Sequence, residues 1–162
     1  MLTRTEFTEL LTHGPLLLDG ATGSNLQKMG MPRGCCTEEW ILNHPETILE
    51  LQRRYVAAGS RVVYANTFGA NGLKYSDEEL EAIVTAAVAN AKAARDQSNT
   101  PQEKFVALDI GPLGKLLKPY GDLDFEDAVA AFAKTVRFGA AAGVDLVVVE
   151  TMADSYETKA AV

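Results

Sequence analysis

The sequence predicts an α/β protein built from parallel β/α units, on three observations. Short apolar runs rich in Val and Leu recur along the chain, stretches of helical spacing lie between them, and one helix–turn–strand phrase occurs twice. The runs are Pro15–Asp19 (PLLLD), Arg61–Asn66 (RVVYAN), Phe105–Ile110 (FVALDI) and Asp145–Glu150 (DLVVVE). Each is nearly continuous in apolar residues, the pattern of a strand covered on both faces in a parallel sheet. Each carries a polar residue at or near its C-terminal end: Asp19, Asn66, Asp109 and Glu150.

The elements follow in order. Met1 to Leu11 mixes Arg4, Glu6 and Glu9 with apolar residues, and lacks the apolar core and cleavage site of a signal peptide. After the first strand comes a long crossover, Gly20 to Asn43, where roughly 2–6 residues are usual. A short helix is expected in it around Gly23–Lys28, and loops of this length at strand C-termini often shape a site. Pro45–Ala58 carries Ile48, Leu49, Leu51, Tyr55 and Val56 close to helical spacing, with Gly59 as a stop. Asp77–Gln97 is Ala-rich, with Asp77 as its expected cap and Leu80, Ile83, Val84, Ala87, Val88 and Ala91 on one stripe. Asp124–Ala142 repeats the theme and ends at Gly143. The phrases AAGSRVVYANT and AAGVDLVVVET are near copies, an internal repeat of the β/α unit. Beyond the last strand Asp154 is expected to cap a new helix, with Glu157 three residues on as in a capping box.

Four such units fit either an open doubly wound sheet or part of a (β/α)8 barrel. A barrel takes about 250 residues, so four units make half of one. The last helix has run barely two turns at Val162. The sequence therefore predicts a single partial domain over 1–162, the front part of a longer chain.

Composition narrows the function classes. The chain has 162 residues, 47% of them hydrophobic, enough for one domain with a core. Its formal net charge is −7 without a basic cluster, which argues against nucleic acid and anionic membrane as partners. No apolar run approaches the roughly 20 residues needed to span a bilayer. A cytoplasmic location is expected, with Cys35 and Cys36 reduced.

Polar residues at the C-terminal ends of parallel strands are the main chemical signal, because both candidate folds bind ligands there. Asp19 leads into Gly20-Ala21-Thr22-Gly23, a turn whose small residues let backbone N–H groups approach a carboxylate or phosphate. The plain alternative is a turn of small residues capped by Asp19. The segment is not G-x-G-x-x-G, and no acidic residue closes a second strand as a ribose site requires, so a dinucleotide site is disfavoured. Asp19 and Glu150 suit a substrate ammonium or an acid/base pair; the alternative is that each caps a helix or pairs with a Lys. Asn66 and Thr67 offer neutral hydrogen bonds and Phe68 an apolar wall, as a site or as an ordinary turn. Cys35-Cys36 lacks the third and fourth ligands of a zinc site, since His13 and His44 show no metal-binding spacing with the pair.

Taken together, LLLDGATGSNLQ, NHPETILELQRRYVAAGS, VVYANTFGAN, ALDIGPLGKLLKP and GVDLVVVETMADSYETKAA resemble the homocysteine S-methyltransferase family. They run in family order over nearly the whole chain. That family includes the homocysteine-binding module of cobalamin-dependent methionine synthase and betaine–homocysteine methyltransferase. The stretch DIGPLGKLLKPYGDLDFEDAV looks most like the methionine synthase branch. The resemblance implies a methyltransferase whose β/α units form the first half of a TIM (β/α)8 barrel, with homocysteine in the mouth. It implies a zinc ion on the homocysteine sulfur, because a thiol is a poor nucleophile until deprotonated and zinc lowers its pKa. It implies Asp19 and Glu150 on the substrate ammonium, with Gly20, Ala21, Thr22, Asn66 and Thr67 lining the pocket. The family's zinc cysteines lie in the second half of the barrel. No metal ligand and no catalytic residue is therefore expected within 1–162, and Cys35-Cys36 is not the family's adjacent pair. The chain alone is expected to be inactive in methyl transfer. The methyl donor, with cobalamin and folate as candidate cofactors, falls to other modules. The alternative is a non-catalytic binding or assembly module, a homodimer formed through exposed sheet edges.

Overall fold

Val62, Val63, Val106, Val147 and Val148 favour extended backbone at the centres of three short runs. The computed structural model describes residues 1–162. Its elements are α1 (Arg4–Thr12), α2 (Gly23–Lys28), α3 (Thr37–Asn43), α4 (Pro45–Ala57), β1 (Val62–Ala65), α5 (Asp77–Asp96), β2 (Phe105–Ile110), α6 (Phe125–Ala142), β3 (Leu146–Val149) and α7 (Ser155–Ala161). The strands form one parallel sheet in the order β1-β2-β3. Val62 stands opposite Phe105, and Ala107 opposite Leu146. A helix joins each strand to the next, as parallel pairing requires.

The expected strand at Pro15–Asp19 is not formed. This segment makes a single bridge, Leu18 to Val62. Arg61 and Val62 donate to the Leu17 carbonyl and Asp19 N–H donates to the Val62 carbonyl. Pro15 has no N–H to give. At the other end Asp19 closes the pairing with its side chain, because Oδ2 accepts the Tyr64 N–H at 3.0 Å.

Capping also departs from expectation in places. Ser76, not Asp77, opens α5, in a reciprocal box with Glu79. Asp154 takes the Tyr156 N–H to open α7, but Glu157 does not return to it. Glu157 is buried and accepts the Leu113 N–H at 2.8 Å, meeting a loop donor that has left water. Two further helices were not expected. α1 opens on a Thr3/Glu6 capping box, and Leu2 and Leu10 pack against Val62, Phe105 and Ala107. α3 fills the later part of the long crossover. The expected Gly143 stop holds: its φ of 82° is left-handed backbone that an L side chain resists.

α4, α5, α6 and α7 pack one against the next on one side of the sheet. There 21 buried residues form the main core, including Val63, Ala65, Val106, Leu108 and Ile110. The other face buries only Val62, Phe105 and Ala107, with Tyr64, Leu146 and Val148 half-buried beside them. The helix side thus carries the stability, at roughly 1.5–3 kcal/mol per large side chain buried. A strand's period of two explains the division. It also puts Tyr64 and Asn66, Phe105 and Asp109, and Val148 and Glu150 on the thinly covered face, where the C-terminal positions are polar. No helix is long and apolar enough to cross a membrane.

Candidate functional site

The C-terminal ends of the strands and the turn after Leu18 surround an open cavity of about 620 Å³. Asp19, Gly20, Ala21, Thr22 and Gly23 form one wall. Tyr64, Asn66 and Phe68 come from β1 and the turn beyond it, Asp109 from β2, and Glu150 and Thr151 from the end of β3. Thr37 and Glu38 of α3 complete the lining. Four carboxylates face this space, and no Lys or Arg lines it.

Each acid is held differently. Asp19 spends Oδ2 on the Tyr64 N–H, while its buried Oδ1 has no partner. Burial, opposed by the Tyr64 N–H and assisted by the charge of Glu150, pushes its pKa up to about 7. Asp109 is 7% exposed, and its Oδ1 is also buried without a partner. Burial first, then the charges of Glu150, Asp19 and Glu38, push its pKa up to about 7. Glu38 is fully engaged: Oε1 accepts the Gly69 N–H at 2.7 Å and Oε2 accepts from the Cys36 thiol at 3.1 Å. A Cβ on Gly69 would lie 2.9 Å from Glu38 Oε1, so glycine is what allows this approach. Glu150 is anchored by its backbone, whose N–H donates to the Ile110 carbonyl at 3.0 Å. Thr151 follows at φ 58°, a strained conformation for a β-branched residue, of the kind that clusters at binding sites. The Tyr64 hydroxyl is held protonated, by burial first and then by the charges of Glu150, Asp109 and Asp19.

Asp19, Gly20, Ala21, Thr22, Asn66 and Glu150, all expected to meet substrate, line this one cavity. Thr67 stands apart. It is fully buried, and its hydroxyl donates to the Asp109 carbonyl at 2.8 Å and accepts the Asp109 N–H at 3.1 Å. Asn66 is steadied from behind by Gln52 Nε2 at 3.4 Å. The lining residues that the sequence reading did not single out are Leu18, Thr37, Glu38, Tyr64 and Thr151. For Tyr64 a signal existed, since it precedes Asn66 by one strand period. Glu38 had none, because its burial depends on a glycine 31 residues away.

A zinc centre takes three or four Cys, His or carboxylate ligands. No three such groups come together in a way that could hold a metal ion, the cavity's carboxylates included, so the residues present do not fit that ion. Cys36 is instead bound by Lys74 Nζ at 2.9 Å and lies 3.2 Å from the Tyr75 hydroxyl, while Cys35 is exposed. His44 stacks on Trp40 at 4.0 Å, and His13 ends α1.

A parallel sheet backed by helices, with an acid-lined cavity at the strands' C-terminal ends, defines an α/β protein whose cavity is chemically suited to a cationic group. A profile described as homocysteine S-methyltransferase matches residues 16–162. The chain belongs to the homocysteine S-methyltransferase family. It is 29% identical over 169 residues to methionine synthase of Mycobacterium leprae (strain TN), covering 98% of this chain and 14% of that protein. The homocysteine methyltransferase MmuM from Escherichia coli shares its fold. The metallated form superposes with a TM-score of 0.78 at 24% identity, over 94% of this chain and 59% of that one. The apo form gives a TM-score of 0.70 at 28% identity, over 94% and 55%. The chain thus spans a seventh of the methionine synthase and a little over half of MmuM.

Proposed function

We propose that this chain is the homocysteine-binding part of a homocysteine S-methyltransferase of the methionine synthase branch, its β/α units forming the first half of a (β/α)8 barrel. The observation that carries this reading is the cavity itself: four carboxylates, no cation, and unpartnered buried oxygens on Asp19 and Asp109. Buried charge of one sign is costly unless a partner arrives, and the ammonium of an amino acid is such a partner. Asp19 and Glu150 hold that ammonium. Backbone of Gly20, Ala21 and Thr22 receives the amino acid's carboxylate, and Asn66 offers neutral hydrogen bonds. Thr67 serves from behind by fixing Asp109. The residues present offer no ligand set for zinc, and residues 1–162 bind homocysteine without methylating it.

Calorimetric titration of the chain with homocysteine tests this. A hydrogen bond to a charged group is worth about 1.5–3 kcal/mol. Asp19→Asn and Glu150→Gln should therefore each weaken binding by about 10- to 100-fold. No binding by the unmodified chain, or binding by both variants as tight as that of the unmodified chain, would overturn the assignment. Methionine formation by residues 1–162 supplied with zinc and a methyl donor would overturn the claim of inactivity.

A further inference from the structure

Beside Asp19 and Glu150 the cavity holds a carboxylate from β2 that has been given no contact with the amino acid. Asp109 is more than nine-tenths buried, lines the cavity, and has an Oδ1 with no hydrogen-bond partner. Its backbone is pinned at both N–H and carbonyl by Thr67, so the side chain is presented from a fixed point. Glu38, the other acid outside the Asp19/Glu150 pair, is already committed to Gly69 and Cys36. Asp109 is therefore the acid left free to meet a ligand.

A primary ammonium carries three N–H donors. We propose that Asp109 is a specificity-determining residue of this site, its free oxygen joining Asp19 and Glu150 in a three-carboxylate seat that selects a protonated primary amine. The proposal rests on the reading that Asp19 and Glu150 hold the ammonium. An N-acylated amine has lost both the charge and two donors, and a deamino analogue leaves all three acids unmet. Each is rejected for the same physical reason, a buried acceptor left without its partner. Asp109 faces Asp19, Glu38, Glu150 and the Tyr64 hydroxyl. One ammonium does not balance those acids, and near pH 7 protons on Asp19 and Asp109 make up part of the difference. Arrival of the cation expels them, so binding releases protons.

The test compares three probes by calorimetry: homocysteine, N-acetylhomocysteine and 4-mercaptobutanoate. The unmodified chain is expected to prefer homocysteine. Asp109→Asn, which keeps the shape, should cut that preference about tenfold, by weakening homocysteine binding and easing the rejection of 4-mercaptobutanoate. Titrations at pH 7 in two buffers of different ionisation enthalpy should show fewer protons released by Asp109→Asn, a readout that a merely structural role would not move. If that variant fails to fold, Asp109→Ser takes its place with the same expectations. A preference and a proton release equal to those of the unmodified chain overturn the proposal. If Asp19→Asn and Glu150→Gln lose the preference while Asp109→Asn keeps it, only the Asp109 assignment fails. If all three keep it, or the unmodified chain shows none, the ammonium reading fails as well.

Discussion

Asp109 is placed where a carboxylate is costly, and pH should reveal the cost. Its folded pKa of about 7 stands well above the ordinary 3.8, chiefly through burial and then through Glu150, Asp19 and Glu38. Asp19 is raised likewise. Between about pH 4 and pH 7 the folded chain keeps protons that the unfolded chain has released, so stability falls as pH rises through that window. Melting followed by circular dichroism should show a lower midpoint at pH 8 than at pH 5. Asp109→Asn should flatten the difference and melt higher at pH 8. Midpoints that do not differ between the two proteins at pH 8 would count against this. Asp19, Asn66 and Glu150 were legible in the sequence because a polar residue ending an apolar run has few other reasons to be there. Glu38 was not legible, because its place depends on contacts between segments far apart in the chain.

The element that matters most for site geometry is the join between the ends of β1 and β2. Thr67 makes it with a single hydroxyl that both gives to and takes from the Asp109 backbone. Thr67→Val keeps the volume and strands the Asp109 N–H and carbonyl in the interior. Urea unfolding should show a loss of about 1–3 kcal/mol, with homocysteine binding weakened through Asp109's displacement. No loss of stability would mean that other groups satisfy that backbone. Helices and strands were read from periodicity with good bounds at α4, α5, α6, β2 and β3. α1 and α3 were passed over because each is short and mixes charge with apolar residues. The Thr3/Glu6 spacing was the available signal for α1. The strand expected at Pro15–Asp19 dissolved into a bridge because apolar content does not reveal whether partner hydrogen bonds exist.

At the scale of the molecule, the sheet has one face under helices and two open edges. β3 has no strand on its outer side, and on the other edge Leu17 is 56% and Leu18 45% exposed. Unpaired edges with apolar flanks invite pairing, and this supports the second reading, self-association through those edges. Light scattering should show a dimer growing with concentration, and Leu18→Lys should return it to monomer. A single monomeric mass at high concentration would remove that reading. The parallel order and the helix layer followed from the repeat of β/α units. The thin cover on the opposite face did not, because buried runs look the same whatever covers them.

The bond between Asp19 Oδ2 and the Tyr64 N–H has a further consequence. One residue both closes the backbone pairing of the sheet with a carboxylate oxygen and forms part of the cavity wall. Recognition and architecture are therefore not separable parts that can vary independently. A change of ligand preference at this position must pass through a change in how β1 is held, which narrows the substitutions open to drift. The pocket wall is constrained here by the demands of the backbone as much as by the shape of what it binds.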